Sequence, residues 1–134
     1  YVGTDIFQTA PVDSMDIKFA RRTLKYFLRT NHAVKNGEVF VTDSTFKSII
    51  TEFNFNTSYN PNIYTVEAPD AIEPADSLAH TIFRYKENNM SAAVAYDGPY
   101  KVVIFGFPFE TILNEESRNR TMRAVFNFFT SEKQ

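Results

Sequence analysis

The chain has no cysteine and no tryptophan, and only two of its 134 residues are histidine. Without cysteine it has no disulfides, no thiolate nucleophile and no cysteine-based zinc site. His32 and His80 lack the three- or four-residue spacing that places two ligands on one helix face, which excludes a helix-borne metal pair. No apolar run approaches the roughly 20 residues of a membrane-spanning helix. We therefore expect neither a bound metal nor membrane insertion.

An excess of charge of one sign is also lacking. The chain has 14 basic and 16 acidic residues, for a formal net charge of -2, and its lysines and arginines are scattered. Nucleic-acid-binding domains instead present a basic stripe, so we expect no nucleic-acid partner. The four glycines are far apart and no Gly-x-Ser-x-Gly sequence occurs. This excludes a phosphate-binding loop, a dinucleotide fingerprint and a nucleophile elbow, and we expect no cofactor.

The chain is long enough for one domain with a sizeable core, and its 14 phenylalanines and 7 tyrosines supply most of the bulk. It begins with Tyr1-Val2-Gly3-Thr4-Asp5, a pattern typical of the end of a strand and its turn. A domain seldom begins at such a turn. We therefore expect residues 1–134 to be a single domain within a longer chain. The alternative is a frayed N-terminus on a complete small protein.

Two segments show helical periodicity. One runs from Met15 to about Thr30, after the capping residues Asp13 and Ser14. The other runs from about Asn114 to Phe129, with Asn114 as its cap. Apolar residues spaced by three or four predict a buried stripe on each helix. The predicted stripes are Ile17, Ala20, Leu24, Phe27 and Leu28 in the first helix, and Met122, Val125, Phe126 and Phe129 in the second.

The middle of the chain is rich in strand signals. Glu87-Asn88-Asn89 predicts a hairpin between two strands. Lys101–Phe105 alternates little, which predicts a central strand covered on both faces. The order of helix, strands and helix predicts an α/β layer with antiparallel members. Strands are predicted over residues 38–42, 51–57, 63–66, 81–85, 91–96 and 101–105, and an acidic loop over residues 69–76.

Two turns that follow predicted strands form the candidate site. They are Gly3-Thr4-Asp5 and the segment from Gly106 to Glu110, which includes Phe107. Ligands of open α/β sheets bind beyond the carboxyl ends of the strands. Asp5 and Glu110 would be carboxylates at one rim, able to act as acid, as base, or as acceptors for sugar or amide donors. Without any ligand, Asp5 would simply cap a turn and Glu110 would lead into a helix.

A second candidate site, around His80, has weaker support in the sequence. His80 lies near Asp76 and Glu73 in the sequence, which would allow a local acid–base or metal cluster. An exposed loop histidine among ordinary acidic residues explains the same pattern, and we favour that interpretation.

Four segments of the chain carry a resemblance to known proteins: Tyr1 to Asp5, Phe19-Ala20 to Leu24-Lys25-Tyr26, Arg29 to Ala33, and Gly106 to Glu110. Together they resemble the α/β domain of secreted bacterial proteins of the xanthan lyase-like or golvesin-related group. More distantly, the chain is similar to class I glutamine amidotransferases. The resemblance implies a flavodoxin-like fold, incomplete at the N-terminus. That fold is a mixed, mostly parallel sheet with antiparallel strands near the C-terminus, flanked by helices.

The chain also departs from the amidotransferase pattern. Phe107-Pro108 stands where a His-Pro pair would supply the base, and Phe109 separates Pro108 from Glu110. A phenyl ring cannot accept a proton, so the amidotransferase relay lacks its base. The resemblance therefore implies a catalytically degenerate or repurposed domain.

Three functional hypotheses follow. The first is a non-catalytic domain of a secreted, periplasmic or surface protein that binds glycan or peptide, or scaffolds neighbouring domains of its own chain. The second is a polysaccharide or cell-wall hydrolase or lyase that uses Asp5 and Glu110 with a group upstream of Tyr1. The third is a structural domain without a site.

Overall fold

The structure, a computed structural model, describes residues 14–131. Helix α1 spans Ser14–Phe19 and continues as a π-helical turn over Ala20–Leu24. Helix α2 is the single turn Ser44–Lys47, and helix α3 spans Glu115–Thr130. No helix in this part of the chain is both long enough and apolar enough to cross a membrane.

Seven strands make up two antiparallel sheets within the described residues. The larger sheet has five strands in the order β3-β2-β5-β6-β7, and β1 pairs with β4 in a two-stranded sheet. The strands are β1 (Tyr26–Thr30), β2 (Glu38–Val41), β3 (Glu52–Asn54), β4 (Ala71–Pro74), β5 (Ala79–Tyr85), β6 (Ser91–Asp97) and β7 (Lys101–Phe105).

The expected mostly parallel, flavodoxin-like α/β fold is wrong, because every strand pairing among residues 14–131 is antiparallel and helices are few. Short connections explain the difference for β5, β6 and β7. Residues 86–90 join β5 to β6 and residues 98–100 join β6 to β7, whereas a parallel pair needs a crossover of a dozen or more residues. The predicted hairpin at residues 87–89 is confirmed, and Asn89 adopts the left-handed conformation (φ 63°) that asparagine tolerates in turns.

The five-stranded sheet separates two hydrophobic cores. On one face, residues such as Ala95 and Val103 belong to a core that includes Ala124 and Phe128 of α3; we call it the α3-side core. On the other face, Val94 and Ile104 pack with residues of the β1–β4 sheet in the β1-side core. Val94 and Ala95 of β6, and Val103 and Ile104 of β7, therefore lie in different cores, as the period of two in a strand requires.

The helix predicted over residues 15–30 is wrong in its second half. Lys25 adopts the left-handed conformation (φ 66°), which ends the helical turn, and the chain continues as β1. Tyr26 and Leu28, two residues apart, both pack in the β1-side core, so a period of two replaces the predicted helical one. The predicted strand at residues 63–66 is absent, and β4 lies within the predicted acidic loop.

The position predicted for β7 is also wrong, because β7 lies at one end of the five-strand order. Its near-continuous hydrophobicity has another cause. Val103 and Phe105 lie in the α3-side core and Ile104 in the β1-side core, so both faces are covered although the strand is not central. The hydrophobic pattern predicts that both faces of the strand are buried, but it does not predict the position of the strand within the sheet.

Helix α3 begins after the predicted cap, Asn114, whose side chain accepts a hydrogen bond from the Ser117 amide. The predicted buried stripe is only partly correct. Val125 is buried, but Phe126 is 60% and Phe129 is 44% exposed. Apolar residues occupy two adjacent faces of the helix, and the sequence does not decide which face packs. The residues buried against the sheet are Thr121, Ala124, Val125 and Phe128.

Burial of Ile104 can be tested against an exposed apolar residue. Ile104 is fully buried, so Ile104→Ala is expected to lower the free energy of unfolding by about 2–5 kcal/mol. Phe126→Ala, on the exposed face of α3, is expected to change it by less than about 0.5 kcal/mol. Denaturant unfolding of the two variants provides the comparison. Equal losses would contradict the packing described above.

Candidate functional site

Only one of the two predicted rim turns can be located. Gly3, Thr4 and Asp5 lie outside the described residues, so the predicted proximity of Asp5 to Glu110 stays a prediction. The other turn leaves β7 at Phe105 and runs from Gly106 to a short 3-10 turn, Phe109–Thr111. This second turn is therefore the starting point for a site.

Gly106 fixes the turn through a close backbone approach. Its N–H donates to the Ala92 carbonyl at 2.8 Å, and its own carbonyl accepts from the Asp70 N–H at 2.7 Å. A Cβ at this position would lie 2.1 Å from the Asp70 carbonyl oxygen, far inside contact distance, so a side chain cannot be accommodated without a backbone shift. The end of β7 is thus tied to β6 and to the segment before β4.

Phe107, the second predicted rim residue in this turn, is a core residue. It is fully buried and stacks on Phe55 (ring centroids 4.7 Å apart) and on Phe105 (5.5 Å). Its side chain therefore has no surface to offer a ligand. Its packing in the α3-side core holds the turn that carries Glu110 in place.

Glu110 is exposed and lies at an open pocket of about 610 Å³. Three segments meet there: the loop of residues 57–65 (hereafter the 57–65 loop), the 3-10 turn and the start of α3. Their polar side chains line much of the pocket, and Ile63 is among its apolar residues. The polar residues are Asn60, Asn62, Glu110, Glu115 and Arg118.

Tyr64 connects the 57–65 loop to the 3-10 turn. Its hydroxyl donates to Glu110 Oε1 at 2.6 Å, while 54% of the residue remains exposed. Partial burial, this hydrogen bond and the negative charge of Glu110 raise the pKa of Tyr64 to about 12. The phenol is therefore protonated at neutral pH, and it serves as a donor to the carboxylate.

A buried amide holds the 57–65 loop in place. Asn56 is only 2% exposed, and its Nδ2 donates to the Ile63 carbonyl at 2.9 Å and the Tyr64 carbonyl at 3.2 Å. Its carbonyl accepts from the Val66 N–H at 2.9 Å, which closes the loop, and its own N–H donates to the Thr111 carbonyl at 2.8 Å. Asn56 thus links the backbone that carries Tyr64 to the backbone next to Glu110.

The charged side chains at the pocket differ in their partners. Arg118 donates through Nη1 to the Ile112 carbonyl. Neither Glu110 nor Glu115 forms an ion pair within the described part of the chain. Glu116, the next residue on α3, instead pairs with Arg120 at 2.6 Å. Within residues 14–131, two carboxylates without a cationic partner thus face the pocket beside the guanidinium of Arg118.

The predicted neighbours of His80 are engaged elsewhere. His80 Nε2 lies 3.0 Å from Asp43 Oδ1, and the other oxygen of Asp43 caps α2. Asp76 pairs with Lys25, and Glu73 pairs with Arg29. Across residues 14–131, no group of three or more histidine and acidic side chains is arranged to hold a metal ion.

Sequence reasoning found Glu110 but missed Tyr64 and Asn56. The sequence predicted a strand over residues 63–66, so Tyr64 was not recognised as a loop residue. The available signal was composition: residues 54–64 contain four asparagines, a proline and two tyrosines, which is typical of an ordered loop. The contact to Glu110 spans 46 residues of sequence, and no local pattern reports it.

The pKa of Tyr64 provides a direct test of the tyrosine–carboxylate contact. At about pH 11, Tyr64 is expected to stay mostly protonated, because its pKa lies above the value of about 10 of a free tyrosine. Glu110→Gln removes the charge, so the pKa should fall and more phenolate should form at the same pH. NMR of ring-labelled tyrosine measures this, with the Tyr64 signal assigned from Tyr64→Phe. An unchanged pKa in Glu110→Gln would contradict the contact.

Comparison with known proteins adds no relative. No family model matches the chain, and no curated protein and no solved structure matches it. The resemblance to golvesin-related proteins therefore stays a prediction, and so does the secretion that it implies.

Proposed function

We propose that this chain is a non-catalytic domain that binds a glycan at the pocket beside Glu110. The single observation that carries the proposal is the exposed Tyr64 ring, which is anchored by its hydroxyl to Glu110, one of the residues that line the pocket. A fixed aromatic ring beside hydrogen-bonding side chains matches the two chemistries of a sugar. The apolar C–H face of the sugar stacks on the ring, and its hydroxyls bond to the polar groups.

The aromatic part of the proposal depends on two exposed tyrosines. Tyr59 is 89% exposed and directly precedes Asn60, while Tyr64 is 54% exposed on the same loop. Contact between a large apolar ring and water is unfavourable, and a sugar stacked on the ring would remove that surface from water. The loop is held by Asn56, so little conformational entropy would be lost when a ligand binds.

The polar part depends on amides and carboxylates. Asn60 and Asn62 line the pocket from the 57–65 loop, and Glu110 faces them from the 3-10 turn. The Asn60 side-chain oxygen accepts from the Asn62 and Ile63 amides, which fixes its orientation. Amides and carboxylates supply the donors and acceptors that neighbouring sugar hydroxyls require.

The absence of catalysis is part of the proposal. In this proposal Tyr64 and Glu110 have binding roles: the phenol is protonated at neutral pH and donates its hydrogen bond to the carboxylate, so it does not act as a base. Through the resemblance, we further propose that the domain works beside other modules of a secreted or surface bacterial protein.

One observation favours hydrolysis as a second candidate function. Glu115 brings a second carboxylate to the pocket that Glu110 borders, and glycoside hydrolysis uses a pair of carboxyl groups. In this alternative, Glu110 and Glu115 would share the roles of acid and base. Asp5, the partner that the sequence suggests, lies outside the described residues.

Glycan binding can be measured with a panel of soluble oligosaccharides by isothermal titration calorimetry. Tyr64→Ala and Tyr59→Ala are each expected to weaken binding by about tenfold, equivalent to about 1.4 kcal/mol, because a stacking surface is removed. Phe126→Ala removes a similarly exposed ring on α3, about two helical turns beyond the pocket residue Arg118, and is expected to leave the affinity unchanged.

Three outcomes would count against the proposal. They are no binding to any oligosaccharide of the panel, equal losses in all three variants, or release of new reducing ends during incubation. Release that disappears in Glu115→Gln would support the hydrolase alternative instead.

A further inference from the structure

We infer that the pocket selects glycans that carry a free, protonated amine, such as a deacetylated amino sugar, over the same glycan with its amines acetylated. The inference rests on the proposed function and names the class of sugar that the pocket would prefer. It combines the charges at the pocket with the aromatic rings of the 57–65 loop.

The charges at the pocket are unbalanced. Glu110 and Glu115 face it, and among the described residues Arg118 is the one cation that lines it. One nitrogen of that guanidinium is already bonded to the carbonyl of Ile112, the residue that follows the 3-10 turn. The two carboxylates have no ion pair in the described residues, so a ligand cation would meet acceptors that are not already neutralised.

The two carboxylates differ in what acts on them. Glu110 accepts the Tyr64 hydroxyl through Oε1, and its Oε2 has no hydrogen-bond partner among residues 14–131. Glu115 is in the first turn of α3, where the partial positive charge of the helix N-terminus favours a negative side chain. Glu110 is therefore held by Tyr64, and the charge of Glu115 is favoured by its place in α3.

The aromatic rings add a second attraction for a cation. An ammonium group over the face of a tyrosine ring is attracted by its quadrupole, and Tyr59 and Tyr64 both leave ring surface exposed. A protonated amino sugar can thus stack its C–H face on a ring while its ammonium bonds to a carboxylate. An N-acetyl group lacks the charge, and a uronic acid would place a third carboxylate beside the two already present.

The experiment compares two β-1,4-linked oligosaccharides of equal length, one of glucosamine and one of N-acetylglucosamine. Calorimetry at about pH 5.5 keeps the free amines largely protonated, because the oxygens of the sugar ring make its amine less basic than a peptide α-amino group, whose pKa is about 7.7–8.0. The glucosamine oligomer is expected to bind about three- to tenfold more tightly, and added salt should reduce this preference because it screens exposed charges.

Two variants locate the preference at the pocket. Glu115→Gln removes one charge and is expected to lower the ratio of the two affinities. Glu116→Gln, one residue further along α3, removes a charge that is already paired with Arg120, and it is expected to leave the ratio unchanged.

The outcomes separate this inference from the proposed function. If the N-acetylated oligomer binds as tightly as the glucosamine oligomer, or more tightly, the inference is overturned and glycan binding stands. If a preference for the glucosamine oligomer survives in Glu115→Gln at its full size, the assignment to this pocket is overturned. Failure of every glycan to bind removes the proposed function and the inference together.

Discussion

The candidate site depends on the hydrogen bonds of one buried amide, Asn56. Its side chain holds the backbone of Ile63 and Tyr64, and its main chain bonds to Thr111, next to Glu110. A buried polar group is costly unless it is bonded, so this residue allows few arrangements of the 57–65 loop. Because the loop is fixed, Tyr64 can reach Glu110 without first ordering a flexible segment.

Below the site, the aromatic core provides the rigid support. Phe107 stacks between Phe55 and Phe105, and Phe55 immediately precedes Asn56. The same stack therefore fixes both sides of the site. Phe107 holds the turn after β7 that leads to Glu110, and Phe55 holds the chain that enters the 57–65 loop. Phe107, which was expected to occupy the position of an amidotransferase base, is thus a packing residue in this fold.

The tyrosine–carboxylate contact also links the site to stability. The folded state raises the pKa of Tyr64 from about 10 to about 12, so the folded chain binds this proton more tightly than the unfolded chain does. The resulting stabilisation is fully present below about pH 10 and is lost as the pH rises through about 12. At neutral pH the contact is therefore intact, and the ring stays anchored.

Local features of the chain were predictable from sequence, whereas their arrangement in space was not. The hairpin at residues 87–89 and the cap at Asn114 were found because neighbouring residues determine them. The helix predicted over residues 15–30 failed because the apolar residues of Tyr26 to Leu28 fit a helical period and a strand period equally well.

The sheet and the site required distant contacts. The pairing of β1 with β4 joins Leu28 to Ile72, and the bond from Tyr64 to Glu110 joins two segments with no shared local pattern. Glu110 could be picked out because it follows an apolar strand. Its partner could not, because only the folded backbone brings the two together.

The most direct test of the account is to map the bound surface by NMR. Titration of the isotopically labelled chain with a glucosamine oligosaccharide should shift amide signals of the 57–65 loop, of residues 109–111 and of the start of α3, and few others. Shifts centred on the exposed Phe126 and Phe129 face of α3, or no shifts at all, would contradict the assignment of this pocket as a glycan site.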